Sequence, residues 1–209
     1  MQAKCLDDGN QQIRTLNELQ ELFAPVGSAA TRKEVNYLHP MYRQWIEASP
    51  FAVLATSGPS GLDASPRGDP ASLVHIQDEK TLLLPERRGN NRADSLKNIL
   101  HDPRVALLFM IPHIGESLRV NGHARILVTP DLLSRFAMHD KPPQCVIEIK
   151  VDAVFFHCSR AAVRSNLWQY QSQHAVPTAG QMLETVTQAD IDGVAYDQAL
   201  QQRVRDTLY

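Results

Sequence analysis

The sequence predicts a mainly β protein with flanking helices, its sheet curled into a small antiparallel barrel. Three observations lead there. Six short apolar runs of strand type are separated by turn residues. Few helical segments stand between them, which argues against a parallel βαβ sheet. And 209 residues, 43% of them hydrophobic, suit one core with appendages.

The elements follow in chain order. Residues 1–30 are polar apart from "TLNELQELF" (15–23), where Leu16, Leu19, Leu22 and Phe23 share one helical face. "TRKEVNYLHPMYRQWIEAS" (31–49) reads as a second helix, bent or restarted at Pro40, with Thr31 as cap and Glu34 completing a capping box. The six strand candidates are "FAVLATS" (51–57), "ASLVHIQ" (71–77), "TLLLPE" (81–86), "RVALLFMI" (104–111), "SLRVNGHARILV" (117–128) and "QCVIEIKVDAVFFHC" (144–158). Between the first two, "GPSGLDASPRGDP" is rich in Gly and Pro and reads as a turn with its flanks. "SLKNILHD" (95–102) has helical spacing. "TPDLLSRFAMHD" (129–140) opens with the Thr-Pro pattern of a helix start. "SRAAVRSNLWQY" (159–170) reads as a helix capped by Ser159. After about residue 187, Ile191, Val194, Leu200, Val204 and Leu208 form a weak amphipathic pattern.

Several functional classes are disfavoured. A net charge of −2 lacks the basic footprint of a dedicated nucleic-acid binder. No apolar run approaches the roughly 18 residues of a membrane helix, and the first residues carry no apolar signal-peptide core. Cys5, Cys145 and Cys158 are odd in number and far apart, as reduced thiols of a cytoplasmic protein would be. The eight histidines show no metal-ligand spacing, so no metal site is expected.

The chemistry gathers in two stretches. In "PERRGNNRADS" (85–95), Arg87, Arg88 and Arg92 surround Gly89, Asn90 and Asn91, with Ser95 following. Guanidinium forks match phosphate oxygens, glycine lets backbone N–H groups approach, and a helix starting near Arg92 would aim its positive end at the same place. Taken alone, this segment reads equally as a solvated bend. Arg67 of "DASPRGDP" (63–70) adds to it. A hairpin of 71–77 with 81–86 would bring Arg67 toward Arg88 and Arg92, and converging cations need an anion between them. Asp69 reads either as the partner that orients Arg67 or as an exposed turn acid.

The ordered series "FAVLATS … DASPRGDP … TLLLPERRGNNRADSLKNI … DPRVALLFMIP … ESLRVNGHARI … HCSRAAVRSNLW" resembles the pyridoxamine 5'-phosphate oxidase-like FMN-binding split barrels, and more narrowly a flavin-nucleotide-binding subgroup with SPRGD and RSxLW motifs. The resemblance spans about residues 31–170. It implies a six-stranded antiparallel split β-barrel with Greek-key connections over 31–170. A helical extension would occupy 1–30, and a helical tail (171–209) would pack on the barrel or on a dimer mate. It also implies a homodimer with FMN at the subunit interface. Arg67, Gly68 and Asp69 would stand near the flavin; Pro85, Glu86 and Arg87 along its ring and ribityl chain, with Arg88 also binding the cofactor; Asn91, Arg92 and Ser95 at its phosphate. Asn121, Arg160, Arg164 and Trp168 would complete the site, Arg160 and Arg164 from the other subunit and Trp168 covering one flavin edge. For Arg119 an ordinary surface or interface arginine is the simpler reading, for Asn121 and Gly122 a bulge, for Trp168 a core aromatic, and for Cys158 a small buried thiol.

Two departures bear on substrate. The oxidases proper end in an Arg-His-type motif that grips pyridoxal phosphate, and "QALQQRVRDTLY" has nothing of that kind. Arg160 stands where the subgroup more often has Lys. The resemblance therefore implies an FMN-dependent oxidoreductase of a small soluble substrate, with NAD(P)H as a candidate donor. Alternatives are a flavin carrier or redox sensor without turnover, a haem-binding barrel using His75, His123 or His157, and pyridoxamine phosphate oxidation itself.

Overall fold

The computed structural model describes residues 12–70, 72–89 and 91–209. Cys5 and Asn90 lie outside them. The chain divides into two compact units, residues 1–33 and 34–209.

The described part of the first unit holds two short helices, α1 (Leu16–Glu21) and α2 (Ser28–Arg32). The capping box is at α1: the Thr15 side chain accepts the Glu18 N–H, and Glu18 reaches back to the Thr15 N–H. The box expected at Thr31 and Glu34 does not form. Thr31 lies inside α2 and its hydroxyl donates to Ser28 O at 3.0 Å. Residues 31–49 are not one bent helix either. Val35 forms a bridge with Val154, and helix restarts only as α3 (Pro40–Glu47), with His39 as N-cap and Pro40 in the first turn.

The second unit is built on one antiparallel sheet with flanking helices. Its strands are β1 (Phe51–Gly58), β2 (Gly61–Gly68), β3 (His75–Asp78), β4 (Thr81–Glu86), β5 (Arg104–Met110), β6 (Ser117–Leu127) and β7 (Cys145–His157). Their order is β2-β1-β5-β6-β7-β4-β3. Besides α3, its helices are α4 (Asp94–His101), α5 (Pro130–Arg135), α6 (Arg160–Ser165), α7 (Ala179–Val186) and α8 (Gly193–Asp206). The strand count is seven, not six. The additional strand is β2, which occupies the stretch expected to be a turn. The sheet is also open, with β2 and β3 as its two edges. Of the run 71–77 only its end is strand, since β3 begins at His75.

β2 was hidden because it is an edge strand with little apolar content. Only β1 pairs with it, from Phe51↔Gly68 to Gly58↔Gly61, so Pro66 costs the sheet no central hydrogen bond. A two-residue turn, Pro59–Ser60, joins the strands, and Gly61 takes a φ of 115° that favours glycine.

The core follows strand alternation. Ala52 and Leu54 of β1, Leu107 and Phe109 of β5, and Leu118 and Val120 of β6 are buried at every second position. Ile147 and Ile149 of β7 join them, with Leu82 and Leu84 of β4, Leu38, and Ile46 of α3. α4 is fastened to β1 by Asn98, which donates to Thr56 Oγ1 at 3.1 Å. Gly58 makes room for it: a Cβ there would stand 2.2 Å from Asn98 Oδ1. A bulge shifts the β6–β7 register at Asn121/Gly122, where a Cβ on Gly122 would meet Lys150 O at 2.2 Å. Among the described residues, no helix is long and apolar enough to cross a membrane.

Candidate functional site

Strand alternation builds the first wall. Asp63, Ser65 and Arg67 are spaced i, i+2, i+4 on β2 and so share a face. That face looks into a cleft of about 440 Å³ whose other walls are the end of β4 with Arg87 and Arg88, and the start of α4. Pro85 ends the apolar run of β4 just beyond β3, whose last partner on that side is Leu83. The lost N–H therefore falls where β4 has no neighbour on one side, and the cleft opens there.

The charges are fixed pair by pair. Arg67 donates through Nε to Glu86 Oε2 at 3.2 Å, through Nη2 to Ser95 Oγ at 3.1 Å and through Nη1 to Pro66 O at 3.0 Å. Arg87 donates to Asp69 Oδ2 at 2.7 Å and to Phe136 O at 2.6 Å. Asp69 thus holds Arg87, while Arg67 is oriented by Glu86. Ser95, buried, donates to Asp63 Oδ2 at 2.5 Å, and Ser65 donates to the same carboxylate. Burial pushes the Glu86 carboxyl above its ordinary value, and the Arg67 charge opposes that shift. Burial and then the charge of Glu86 push the Cys145 thiol, opposite Glu86 in the β4–β7 pairing, up to about 11.

The α4 end of the cleft is built differently. The N-cap position is Ala93, left-handed at φ 55°, and among the described residues no side chain makes a capping hydrogen bond there. Asn91 is left-handed too. Left-handed backbone passing into helix turns successive N–H groups toward one side, a concavity suited to an anion. Arg92 beside it pairs with Asp94 at 2.8 Å, with side chains 73% and 37% exposed. The Arg67–Glu86 pair, at 15% and 18%, and the Arg87–Asp69 pair, at 18% and 7%, are far less open.

The cleft therefore gathers Arg67, Gly68, Pro85, Glu86, Arg87, Arg88, Arg92 and Ser95 of the expected residues. The repulsion expected among converging arginines is met by protein carboxylates: Glu86, Asp69 and Asp94 each hold one guanidinium. Sequence reasoning missed Asp63 and Ser65. The signal was present as a polar triad at period two, but a segment read as a turn has no faces.

The other expected residues lie elsewhere on the chain. Arg160 and Arg164 of α6, Arg119 of β6 and Trp168 line a second cleft of about 530 Å³, with Leu108 and Met110 among its apolar residues. Trp168 is pinned there by its Nε1–H, which donates to Ile114 O at 2.8 Å. Asn121 stands at the β6 bulge and faces a shallow outer cavity with Thr56 and His123. Cys158 is exposed and lines the second cleft, so it is not a buried thiol. His75, His123 and His157 line neither the first cleft nor one another's: His75 contacts Arg135 at 2.6 Å, His123 pairs with Asp152, and His157 lines the second cleft.

The structurally similar solved chains include HupZ of Group A Streptococcus, at 18% identity and TM-score 0.45, covering 56% of this chain and 92% of that one. A putative pyridoxamine 5'-phosphate oxidase of Lactobacillus delbrueckii has 20% identity and TM-score 0.45, covering 58% and 95%. A FAD-binding protein of Mesorhizobium loti has 15% identity and TM-score 0.40, covering 57% and 94%. No curated protein matches in sequence. The profile described as pyridoxamine 5'-phosphate oxidase matches residues 38–158, which takes in every wall of the first cleft. The chain belongs to the pyridoxamine 5'-phosphate oxidase family.

Proposed function

We propose that the first cleft binds FMN and that the protein is an FMN-dependent oxidoreductase of a small soluble substrate. The observation that carries this reading is the open start of α4 beside Arg92. Among the described residues no side chain caps the helix's first-turn N–H groups, and beside them the Arg92 guanidinium pairs with Asp94 in an exposed ion pair. That exposed pair contributes little to stability, and a guanidinium beside a helix N-terminus suits a phosphate. Ser95 would contribute its backbone N–H, because its hydroxyl is committed to Asp63. A cleft of about 440 Å³ also lies in the size range of small-ligand sites.

When bound, FMN supplies the redox chemistry. The residues of the chain do the holding. Arg67, kept in place by Glu86 and Ser95, offers a fixed cation beside Pro85 and Leu73, against which an apolar ring edge can rest. A positive charge held near a flavin's polar edge stabilises its reduced, anionic state.

The same reading places a second copy of the chain on the outer face of β1, β5 and β6. Val53, Ala55, Ala106, Leu108 and Met110 stand half-exposed there, opposite the buried positions of the same strands. In such a homodimer, Arg160, Arg164 and Trp168 would reach the partner's flavin.

Purified protein should show absorption bands at about 370 and 450 nm, which belong to the flavin itself. Arg92→Ala should weaken FMN binding by about tenfold to a hundredfold and leave riboflavin binding unchanged, because only FMN carries the phosphate. Equal losses for both flavins would remove Arg92 from the phosphate site. Reduction by NADH or NADPH slower than that of free FMN would make the protein a flavin carrier instead.

A further inference from the structure

The cleft has a feature that neither the arginine pattern nor the family explains. Tyr209, three residues beyond α8, lies against its outer wall. The Tyr209 hydroxyl donates to Asp69 Oδ1 at 3.2 Å, while Oδ2 of the same carboxylate accepts from Arg87 at 2.7 Å. The Tyr209 ring lies 5.9 Å from the Arg87 guanidinium carbon. The ring of His139 packs on it at 5.3 Å, and Lys141 Nζ donates to the Tyr209 backbone oxygen at 3.0 Å. Three separate stretches of chain (around 69, at 87 and 139–141) thus meet on one side chain. Behind the wall formed by Arg87 and Arg88, the tyrosine helps to line a smaller pocket of about 190 Å³.

The chemistry of the contact is specific. Arg87 is held by Asp69 and by Phe136 O, but both are acceptors at the edge of the guanidinium. Tyr209 adds an aromatic ring beside the cation and a proton donor to the carboxylate's second oxygen. Together these fix the plane of the Arg87–Asp69 pair. A guanidinium fixed in plane can bind in one orientation without losing further rotamer freedom, which lengthens a complex by slowing its dissociation.

We infer that Tyr209 is a positioning residue: it clamps the Arg87–Asp69 pair and so sets how long the ligand of the first cleft stays bound. The inference rests on the FMN reading of that cleft for the identity of the ligand. Release of FMN from the full chain, followed by the recovery of free-flavin fluorescence, tests it. Tyr209→Ala should release FMN about tenfold faster, and Tyr209→Phe, which keeps the ring, about twofold faster. On an Arg87→Ala background, Tyr209→Ala should add less than about twofold, because the group it positions is gone. A thermal melt of each variant shows that it is folded.

Release at the wild-type rate from Tyr209→Ala overturns the inference. So does an undiminished tenfold effect on the Arg87→Ala background, which would mark a structural role unrelated to Arg87. Amide hydrogen exchange of the flavin-free protein gives an independent arm. Faster exchange in Tyr209→Ala confined to residues 69–70, 87–88 and 136–141 supports the clamp, and unchanged exchange there overturns it. A wild-type protein that takes up no FMN would instead overturn the flavin reading, and the exchange arm would still decide whether Tyr209 clamps the pair.

Discussion

The two arginine-bearing clefts are built on opposite plans. In the first, each of Arg67, Arg87 and Arg92 has a carboxylate of its own chain at 2.7 to 3.2 Å. In the second, Arg160 and Arg164 form no ion pair with any described residue, and Arg119 faces the Phe155 ring at 5.1 Å. The first is rigid and charge-balanced within one chain, with its exposed pair at the α4 end. The second sets Arg119, Arg160 and Arg164, with Glu116 among its walls, over an apolar floor of Leu108 and Met110. The first cleft therefore settles its charges internally, while Arg160 and Arg164 of the second are left without an ion pair among the described residues.

The sharpest break in this comparison is stability. Arg67→Ala leaves the half-buried Glu86 without its partner and should cost about 2–3 kcal/mol in urea unfolding. Arg160→Ala removes no internal partner and should shift stability by less than about 0.5 kcal/mol. Similar losses from both would erase the distinction. If the second cleft meets the partner's flavin, Arg164→Ala should weaken FMN binding by about five- to tenfold at concentrations where the protein is dimeric. No change there would leave the second cleft out of the flavin site.

A smaller effect appears in pH dependence. Burial raises the Glu86 carboxyl above its ordinary value of 4.5. The folded state then binds this proton more tightly than the unfolded chain does. The contribution of Glu86 is therefore most favourable below about 4.5 and declines as pH rises through the raised folded value. Glu86→Gln should flatten that part of the stability–pH curve, and an unchanged slope would assign the slope to other groups. Smallest of all, Ala93→Gly should raise stability by about 0.5 kcal/mol, because alanine at φ 55° carries a left-handed penalty that glycine lacks. A loss on this substitution would mean that the unfolded-state entropy of glycine outweighs that penalty.

Much of the frame was legible locally. Thr129 and Pro130 start α5 where the Thr-Pro pattern put it, although the helix ends at Arg135 rather than running toward 140. Short apolar runs of strand type, bounded by turn residues, located β1, β5, β6 and the deeply buried β7. β2 was not legible, because an edge strand needs no apolar face and tolerates Pro66. The same oversight hid Asp63 and Ser65, whose shared face exists only once the segment is a strand. The partner of Arg67 was not legible either. Asp69 is two residues away, but β2 ends at Gly68, and Asp69 turns to Arg87 while the register of the distant β4 presents Glu86.

The sequence by itself determined which residue types could make an anion site and that they would lie near the start of α4, because caps, glycine and arginine act over a few residues. Tertiary structure alone decided which acid holds which arginine, how the clefts differ in charge balance, and that Tyr209 reaches Asp69 from 140 positions away. Those outcomes depend on strand register and on the packing of distant segments, and short-range propensities carry no information about either.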